Sequence, residues 1–271
     1  GRPAAFREWA GDRRFISLDL ADGLHLRRDI AASRILRRLL RQEQANIVHA
    51  HGLKAALVTA AALAPMRHPC FLFTAHNSLP QSSSRLAQWG TNLVQRWMFR
   101  GMNTIISVSD SVRSQITPFV PENKVLTIHN GISSKEFGNV SMDASRLPLG
   151  LEPDDQVVGT VARLIPGKGI ATLLEAVSLI AKIVPKLHLV VVGDGPERPR
   201  LEQYAQRLGL QGRALFLGWR DDVPSLMAGW DCYALPSLSE GFNVSVLEAM
   251  ASRLPVGASA LPALREAVGP G

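Results

Sequence analysis

Asp231-Cys232-Tyr233-Ala234-Leu235-Pro236-Ser237-Leu238-Ser239-Glu240-Gly241-Phe242-Asn243-Val244-Ser245-Val246-Leu247-Glu248-Ala249-Met250-Ala251 is the stretch from which the fold can be read. Its first six residues form an apolar, aromatic run stopped by a proline, the signature of a buried strand. A Gly-Phe turn follows, carrying Glu240, and then an apolar pattern of helical period carrying Glu248. A strand that leads through a loop into a helix N-terminus is where open α/β sheets bind anions, because unpaired N–H groups and the helix dipole point at the ligand. Two acids beside such a site make sense if the ligand also presents hydroxyls, since a carboxylate can accept two O–H donors. A ligand with both phosphates and hydroxyls is a nucleotide, a sugar, or the two joined.

The same strand–loop–helix pattern recurs on either side. Upstream run Val157–Ala162, then the loop Arg163-Leu164-Ile165-Pro166-Gly167-Lys168-Gly169, then a helix over Ile170–Ile183. Strand Leu187–Val192 leads through Gly193-Asp194-Gly195-Pro196 to a charged helix ending near Leu208. Strand Ala214–Leu217 precedes Gly218-Trp219-Arg220-Asp221-Asp222 and a short helix, and strand Pro255–Ala258 with a helix near Leu264 ends the chain. The first half predicts strands over Phe15–Leu18, Asn46–His51, Cys70–Ala75, Thr104–Val108 and Lys124–Ile128. Helices are expected over Leu26–Arg41, Leu53–Leu63 and Ser83–Phe99, and one capped by Ser109 or Asp110. Between Val140 and Asp155 the apolar period is lost. The boundary is therefore placed there, with one domain over 1–145 and another over 146–271. Near-continuous apolar strands alternating with helices predict α/β architecture: two Rossmann-like domains in series, each with a parallel sheet covered on both faces.

At 271 residues, 46% hydrophobic and 20% charged, the chain is that of a folded protein. Its two cysteines, Cys70 and Cys232, form no zinc or disulfide pattern, so a cytoplasmic setting is expected. No apolar run approaches the ~20 residues that span a bilayer. The net charge of +7 favours anionic partners, but no nucleic-acid motif accompanies it.

Arg163 and Lys168 share one tight loop at a strand end, where two cations would repel unless a polyanion lay between them. A diphosphate is the natural candidate, with Arg as a fork and Lys as a point charge. The loop is not a P-loop, because Gly169 follows Lys168 where Ser or Thr is needed. Nor is Gly193-Asp194-Gly195 a dinucleotide fingerprint, because Arg198 takes the third glycine's place.

Arg163 with Lys168-Gly169, Val191-Val192-Gly193-Asp194-Gly195-Pro196, Phe216-Leu217-Gly218, Leu235-Pro236-Ser237 and the pair Glu240/Glu248 occur in that order. Together they resemble the C-terminal half of the retaining nucleotide-sugar glycosyltransferases of group 1, family 4, which have the GT-B fold. Ile47-Val48-His49-Ala50-His51-Gly52, Thr74-Ala75-His76-Asn77, Ser107-Val108-Ser109 and Asn130-Gly131-Ile132 resemble that family's acceptor domain more loosely.

The resemblance implies that Arg163, Lys168 and the backbone N–H groups of Asn243, Val244 and Ser245 hold the donor diphosphate. Glu248 would accept from the ribose hydroxyls. Glu240, Gly241 and Phe242 would lie against the transferred sugar, and Trp219 and Arg220 beside the base. His76 would face the reacting centre, with His51 and Gly52 on the acceptor side. No metal or other cofactor is implied. His49 and His51 share a strand face, but no acid or cysteine completes a ligand set; His68, His129 and His188 are read as ordinary surface or structural residues. The implied acceptor is a glycan or a lipid-linked sugar, at the cytoplasmic face of the membrane.

Arg253, Gly257, Pro262-Ala263, Asn243 and Ser133 depart from the family pattern, which bears on the sugar more than on the diphosphate. The first strand and the closing helices of the family are not found, so the chain is expected to be an internal fragment with little activity alone. The basic helices near Arg27–Arg41 and Arg85–Arg100 have two readings, peripheral contact with an anionic membrane or apolar faces packed on the first sheet, and packing is preferred. A catalytically silent binding subunit on the same fold is the alternative to an enzyme.

Overall fold

The computed structural model describes residues 15–20, 23, 25–66, 69–80, 84–137 and 141–269. These divide into two compact units. The first comprises residues up to Ser107 together with Gln115–Leu126; the second comprises Val108–Ser114 and everything from Thr127 onward.

In the first unit four strands line up in the order β1 (Ile47–His51), β2 (Cys70–Ala75), β3 (Thr104–Ser107) and β4 (Val125–Thr127). The β1–β2 and β2–β3 pairs are parallel. Phe71, Phe73, Ile105 and Val125 are buried, as expected of strands covered on both faces. Helices α1 (Leu26–Gln42), α2 (Leu53–Leu63) and α3 (Arg85–Arg100) flank the sheet's chain. The Arg37 guanidinium donates to Ala61 O and Ala62 O, each at 2.9 Å, and so ties α1 to carbonyls at the C-terminal end of α2. Ser84 caps α3 by accepting from Ala87 N. The strand expected over Phe15–Leu18 is not formed; residues 15–20 have no regular structure. Its apolar residues lack the neighbouring strand that would make them a ladder. The expected start of α3 at Ser83, the residue Val140 and His68 lie outside the described residues.

The second unit is built on five parallel strands in the order β7 (Ala214–Gly218), β6 (Leu187–Val192), β5 (Gln156–Val161), β8 (Cys232–Leu235), β9 (Val256–Ala258). The chain lays down β5, β6 and β7 toward one edge, then crosses back to place β8 and β9 on the other side of β5. The direction of winding thus reverses between β5 and β8, and the crevice beyond the carboxyl ends of these two strands is the topological switch point.

The sheet's two faces bury separate cores. Val190 and Val192 enter one with Trp230, Tyr233, Leu235 and Val246, and Leu189 and Val191 enter the other with Leu164, Leu173 and Leu174. That alternation is the period-two geometry of a strand read from both sides. Helices α6 (Ile170–Ile180), α7 (Arg198–Arg207), α8 (Val223–Met227), α9 (Val244–Ala251) and α10 (Pro262–Val268) complete the unit. At Gly159 any Cβ would fall 1.9 Å from the Trp230 ring, so only glycine lets the indole pack there.

The stretch in which the apolar period is lost carries a short helix, α5 (Met142–Arg146), and a 3-10 turn, Leu147–Leu149. Helix α4 (Asp110–Ile116) is capped by Ser109, whose Oγ accepts from Val112 N at 3.1 Å. Arg146 at the end of α5 is 2% exposed. Its guanidinium donates to Gly229 O, Pro153 O and Asp155 O at 2.8–2.9 Å and pairs with Asp231 at 2.7 Å. Asp231 in turn accepts from Val157 N at 2.7 Å. One buried cation therefore fastens α5, the start of β5 and the approach to β8, at the opposite end of these strands from the switch point.

Candidate functional site

The loops leaving β5 and β8 run together at the switch point. Leu238 N donates to Gly167 O at 2.7 Å. Gly169 has φ +70°, and a Cβ there would lie 1.9 Å from Pro236 O, so glycine is required both by conformation and by the closeness of the two backbones. This contact carries Lys168 to the acid on the other loop. Its Nζ is 2.7 Å from Glu240 Oε1, with the side chains only 18% and 6% exposed. Lys168 is thus matched with a carboxylate of the β8 loop, which the sequence reading had assigned to a different part of the ligand. Arg163 is exposed on the loop that follows β5.

Helix α9 opens directly after this loop. Asn243 is its N-cap, with Oδ1 accepting from Val246 N at 3.2 Å. Ser245 Oγ lies within hydrogen-bond distance of Val161 O (3.1 Å), Asn243 Oδ1 (2.6 Å) and the Tyr233 hydroxyl (2.6 Å). Its side chain therefore knits α9 to β5 and β8, and only its backbone N–H is left for a ligand. By helix geometry the first-turn N–H groups of Val244 and Ser245 have no acceptor inside the helix. Burial pushes the Tyr233 phenol well above its usual range, so the hydroxyl stays protonated and fixed in this cluster. Glu248 is half-buried on the same helix; burial, and secondarily the Glu136 carboxylate, raise its pKa above the ordinary carboxylate value.

A strap from earlier in the chain holds the Glu240 loop from the other side. Ser109 Oγ donates to Gly241 O at 2.7 Å, and Asn130 Nδ2 donates to Phe242 O at 3.2 Å. The His129 ring stacks on Phe242 with centroids 5.0 Å apart and pairs with Glu266 at 2.6 Å. Glu266 also accepts from Asp110 N at 2.7 and 2.9 Å and from Ser111 N at 3.3 Å, anchoring the start of α4. His129, read from sequence as an ordinary structural or surface residue, has a structural role here. Ser109, Asn130 and Glu266 were not among the expected site residues. A polar cap, an Asn-Gly turn and an acid on a terminal helix give no sign in sequence of what they hold.

Trp219 and Arg220 follow β7. Trp219 Nε1 donates to Asp221 at 2.9 Å, leaving its ring exposed, and Arg220 is forked onto Asp222 at 2.5–2.7 Å. His188 pairs with Asp155 at 3.5 Å, a structural contact.

In the first unit His51 and His76 come together at the ends of β1 and β2, with Nδ1 of the former 2.9 Å from Nε2 of the latter. His49 stacks beside His51 at 4.2 Å and bonds Thr74 Oγ1 at 2.8 Å. Burial, reinforced by the neighbouring imidazoles, depresses the pKa of His49 and His76, so both are neutral bases at pH 7. Gly52, at φ +80°, turns the chain from β1 into α2. Among the described residues no three His, Cys, Asp or Glu side chains are grouped to hold a metal ion.

With this geometry in hand, comparison with known proteins is direct. The sequence profile described as Glycosyltransferase Family 4 matches residues 1–136, and that described as Glycosyl transferases group 1 matches residues 141–271. The chain belongs to the group 1, family 4 glycosyltransferases. This glycosyltransferase chain is 30% identical over 254 residues to a UDP-Gal:alpha-D-GlcNAc-diphosphoundecaprenol alpha-1,3-galactosyltransferase of Escherichia coli, covering 90% of this chain and 65% of the relative. It is 30% identical over 173 residues to the lipopolysaccharide core biosynthesis glycosyltransferase LpsE of Rhizobium meliloti, covering 64% of this chain and 48% of that one. Among solved structures, Anabaena HepE in complex with UDP-glucose superposes with a TM-score of 0.75 at 25% identity, over 87% of this chain and 65% of that chain. The chain thus spans between about half and just under two thirds of the length of these relatives, and its GT-B fold class agrees with the expectation from sequence.

Proposed function

We propose that the protein transfers a sugar from a nucleotide-sugar donor, UDP- or GDP-linked, to a glycan or lipid-linked acceptor with retention of configuration, in bacterial cell-surface polysaccharide or glycolipid synthesis. The observation that carries the reading is the Lys168–Glu240 pair set at the switch point beside the N-terminus of α9. HepE was solved with UDP and UDP-glucose, and the E. coli relative's name gives a UDP-sugar donor and a diphospholipid-linked acceptor; both support the assignment by likeness.

In this reading Lys168 and Arg163, with the N–H groups of Val244 and Ser245, receive the donor diphosphate. Glu248 accepts from the ribose, Trp219 and Arg220 flank the base, and Glu240 with the Gly241-Phe242 backbone meets the sugar hydroxyls. His76 and His51 with Gly52 serve the acceptor. As the sugar–phosphate bond breaks, negative charge grows on the leaving diphosphate, and fixed cations and helix N–H groups offset it. The acceptor's hydroxyl proton passes to the leaving phosphate oxygen, so no protein nucleophile is assigned. Isothermal titration with UDP and GDP, followed by NMR determination of the product's anomeric configuration, tests the proposal. Binding of neither nucleotide refutes the donor site, and an inverted product refutes retention. Tight nucleotide binding with no transfer to any lipid-linked sugar would make the protein a silent binding subunit.

A further inference from the structure

Helix α3 carries apolar residues on two faces, with polar residues, among them Gln88, Asn92 and Arg96, on the rest of its surface. Met98 and Phe99 face the core, while Leu86, Trp89, Leu93, Val94 and Trp97 form an exposed stripe on the opposite side, with Leu86 80% and Trp89 65% exposed. The preferred expectation that this helix buries its apolar residues on the sheet therefore fails for five of its seven large apolar residues. An exposed apolar face bearing tryptophans, on a helix whose charges are all arginines, is the pattern of a helix that lies in a membrane interface. Arg85, Arg96 and Arg100 lie along the same helix, and no acid lies between residues 85 and 100.

Beside the stripe, between α2 and α3, a cavity of about 490 Å³ is walled by Leu57, Val94 and Met98, a volume within the range of small-molecule sites. Val94 belongs to both stripe and cavity. Two features mark the cavity as built for an occupant. Gly90 stands in the middle of α3, where glycine costs about 1 kcal/mol relative to alanine, yet a Cβ there would meet nothing within 4 Å. The missing side chain keeps the wall open. Gln95, 3% exposed, lines the cavity, and its Nε2 has no hydrogen-bond partner; a buried unpaired amide is costly unless a ligand supplies the acceptor. Lys54 at the rim is already bonded to Asp29 at 2.6 Å, so Gln95 is the polar group left to meet a guest.

We propose that this cavity takes an acyl chain of an anionic membrane phospholipid, the ester carbonyl accepting from Gln95 Nε2 while the α3 stripe lies on the bilayer beside the helix's three arginines. An acyl chain matches because it joins hydrocarbon to a carbonyl oxygen, whereas an isoprenoid tail offers no such acceptor. The arginines add attraction to an anionic surface, on the order of 1 kcal/mol each. The inference is independent of the donor site in the second unit.

The test uses the protein with vesicles of phosphatidylglycerol and phosphatidylcholine in equal parts, and with monomeric lysophosphatidylglycerol as a single-chain probe. Wild type is expected to co-sediment with the mixed vesicles, to release in high salt, and to gain thermal stability from the lysolipid. Gly90→Leu fills the cavity without a clash and favours the helix, so it folds; its lysolipid affinity should drop about tenfold or more. Gln95→Leu should raise the stability of the lipid-free protein yet weaken lysolipid binding, a combination that a merely orphaned amide would not give. UDP binding should be unchanged in both. Lysolipid binding by Gly90→Leu equal to wild type overturns the proposal, as does failure of wild type to bind the vesicles. Binding to vesicles bearing polyprenyl phosphate that exceeds binding to phosphatidylglycerol, and that is untouched by Gln95→Leu, overturns the acyl assignment.

Discussion

Replacing the two members of the Lys168–Glu240 pair should have unequal effects, and the inequality follows from their burial. Glu240 is the deeper partner at 6% exposure, so Lys168→Ala takes the ammonium at 2.7 Å away from a nearly buried carboxylate. Breaking a buried pair from one side costs about 3–5 kcal/mol, and the residual exposure of Lys168 puts the expectation near the lower end, about 3 kcal/mol. For a unit of this size that corresponds to a fall in Tm of roughly 6–12 °C. Glu240→Gln keeps an acceptor oxygen against an ammonium that still reaches water, and should cost only about 1 kcal/mol.

The ligand response should run differently. A diphosphate that recruits Lys168 must first draw it from Glu240, so Glu240→Gln removes a competitor and should leave UDP affinity unchanged or raise it by up to about tenfold. Lys168→Ala removes a charge-assisted bond worth about 1.5–3 kcal/mol and should weaken UDP by roughly ten- to a hundredfold. Thermal denaturation with and without UDP, joined to calorimetric titration, reads both effects. Equal loss of UDP affinity in the two variants would refute the competition, and with it the assignment of Lys168 to the diphosphate.

Glu248, whose pKa is raised by burial, favours its neutral form in the fold. Its contribution to stability is therefore present below the unfolded carboxylate pKa and is lost as pH rises through the folded value. Ribose hydroxyls need the ionised form, so UDP affinity should weaken as pH falls through that raised pKa, and binding near it should release protons. Titrations in buffers of different ionisation enthalpy check this, and Glu248→Gln should abolish the release. Arg253 occupies the left-handed position after α9 at φ +62°, with Arg253 N bonded to Met250 O and Leu254 N to Ala249 O. That Schellman geometry favours glycine, so Arg253→Gly should stabilise the protein by about 1 kcal/mol, a rise of roughly 2–4 °C in Tm. Arg146→Met takes the donor from three carbonyls, while Asp231, 45% exposed, still accepts from Val157 N, and should cost about 3 kcal/mol in chemical denaturation; a loss below 1 kcal/mol would show that water replaces the guanidinium.

The strands of the second unit were legible because parallel strands covered on both faces must be apolar throughout, and Leu187–Val192 or Cys232–Leu235 leave few other readings. That Lys168 and Glu240 stand at strand ends was legible for a related reason, since the strands before them can be read from sequence. Partnership was not legible. Seventy-two positions separate Lys168 from Glu240, and only the crossing from β7 back to β8 brings their loops together. Arg146 was passed over because a charged residue in a stretch without apolar period looks solvated; what buries it is a set of backbone carbonyls, which any sequence supplies.

The strap is the most instructive case. Ser109, His129 and Asn130 follow strands of the first sheet, yet they pack with the second unit and grip the Gly241-Phe242 peptide. Chain order assigned them to one unit, and hydrogen bonding assigns them to the other. The geometry of the Glu240 loop is thereby set from two directions, by α9 through Asn243 and Ser245 and by the strap through its carbonyls. A loop held on one side by its own Asn243 and Ser245 side chains and on the other through its backbone carbonyls can present Glu240 in one orientation. That accounts for why Asn243, a departure from the family pattern, is tolerated there as a helix cap.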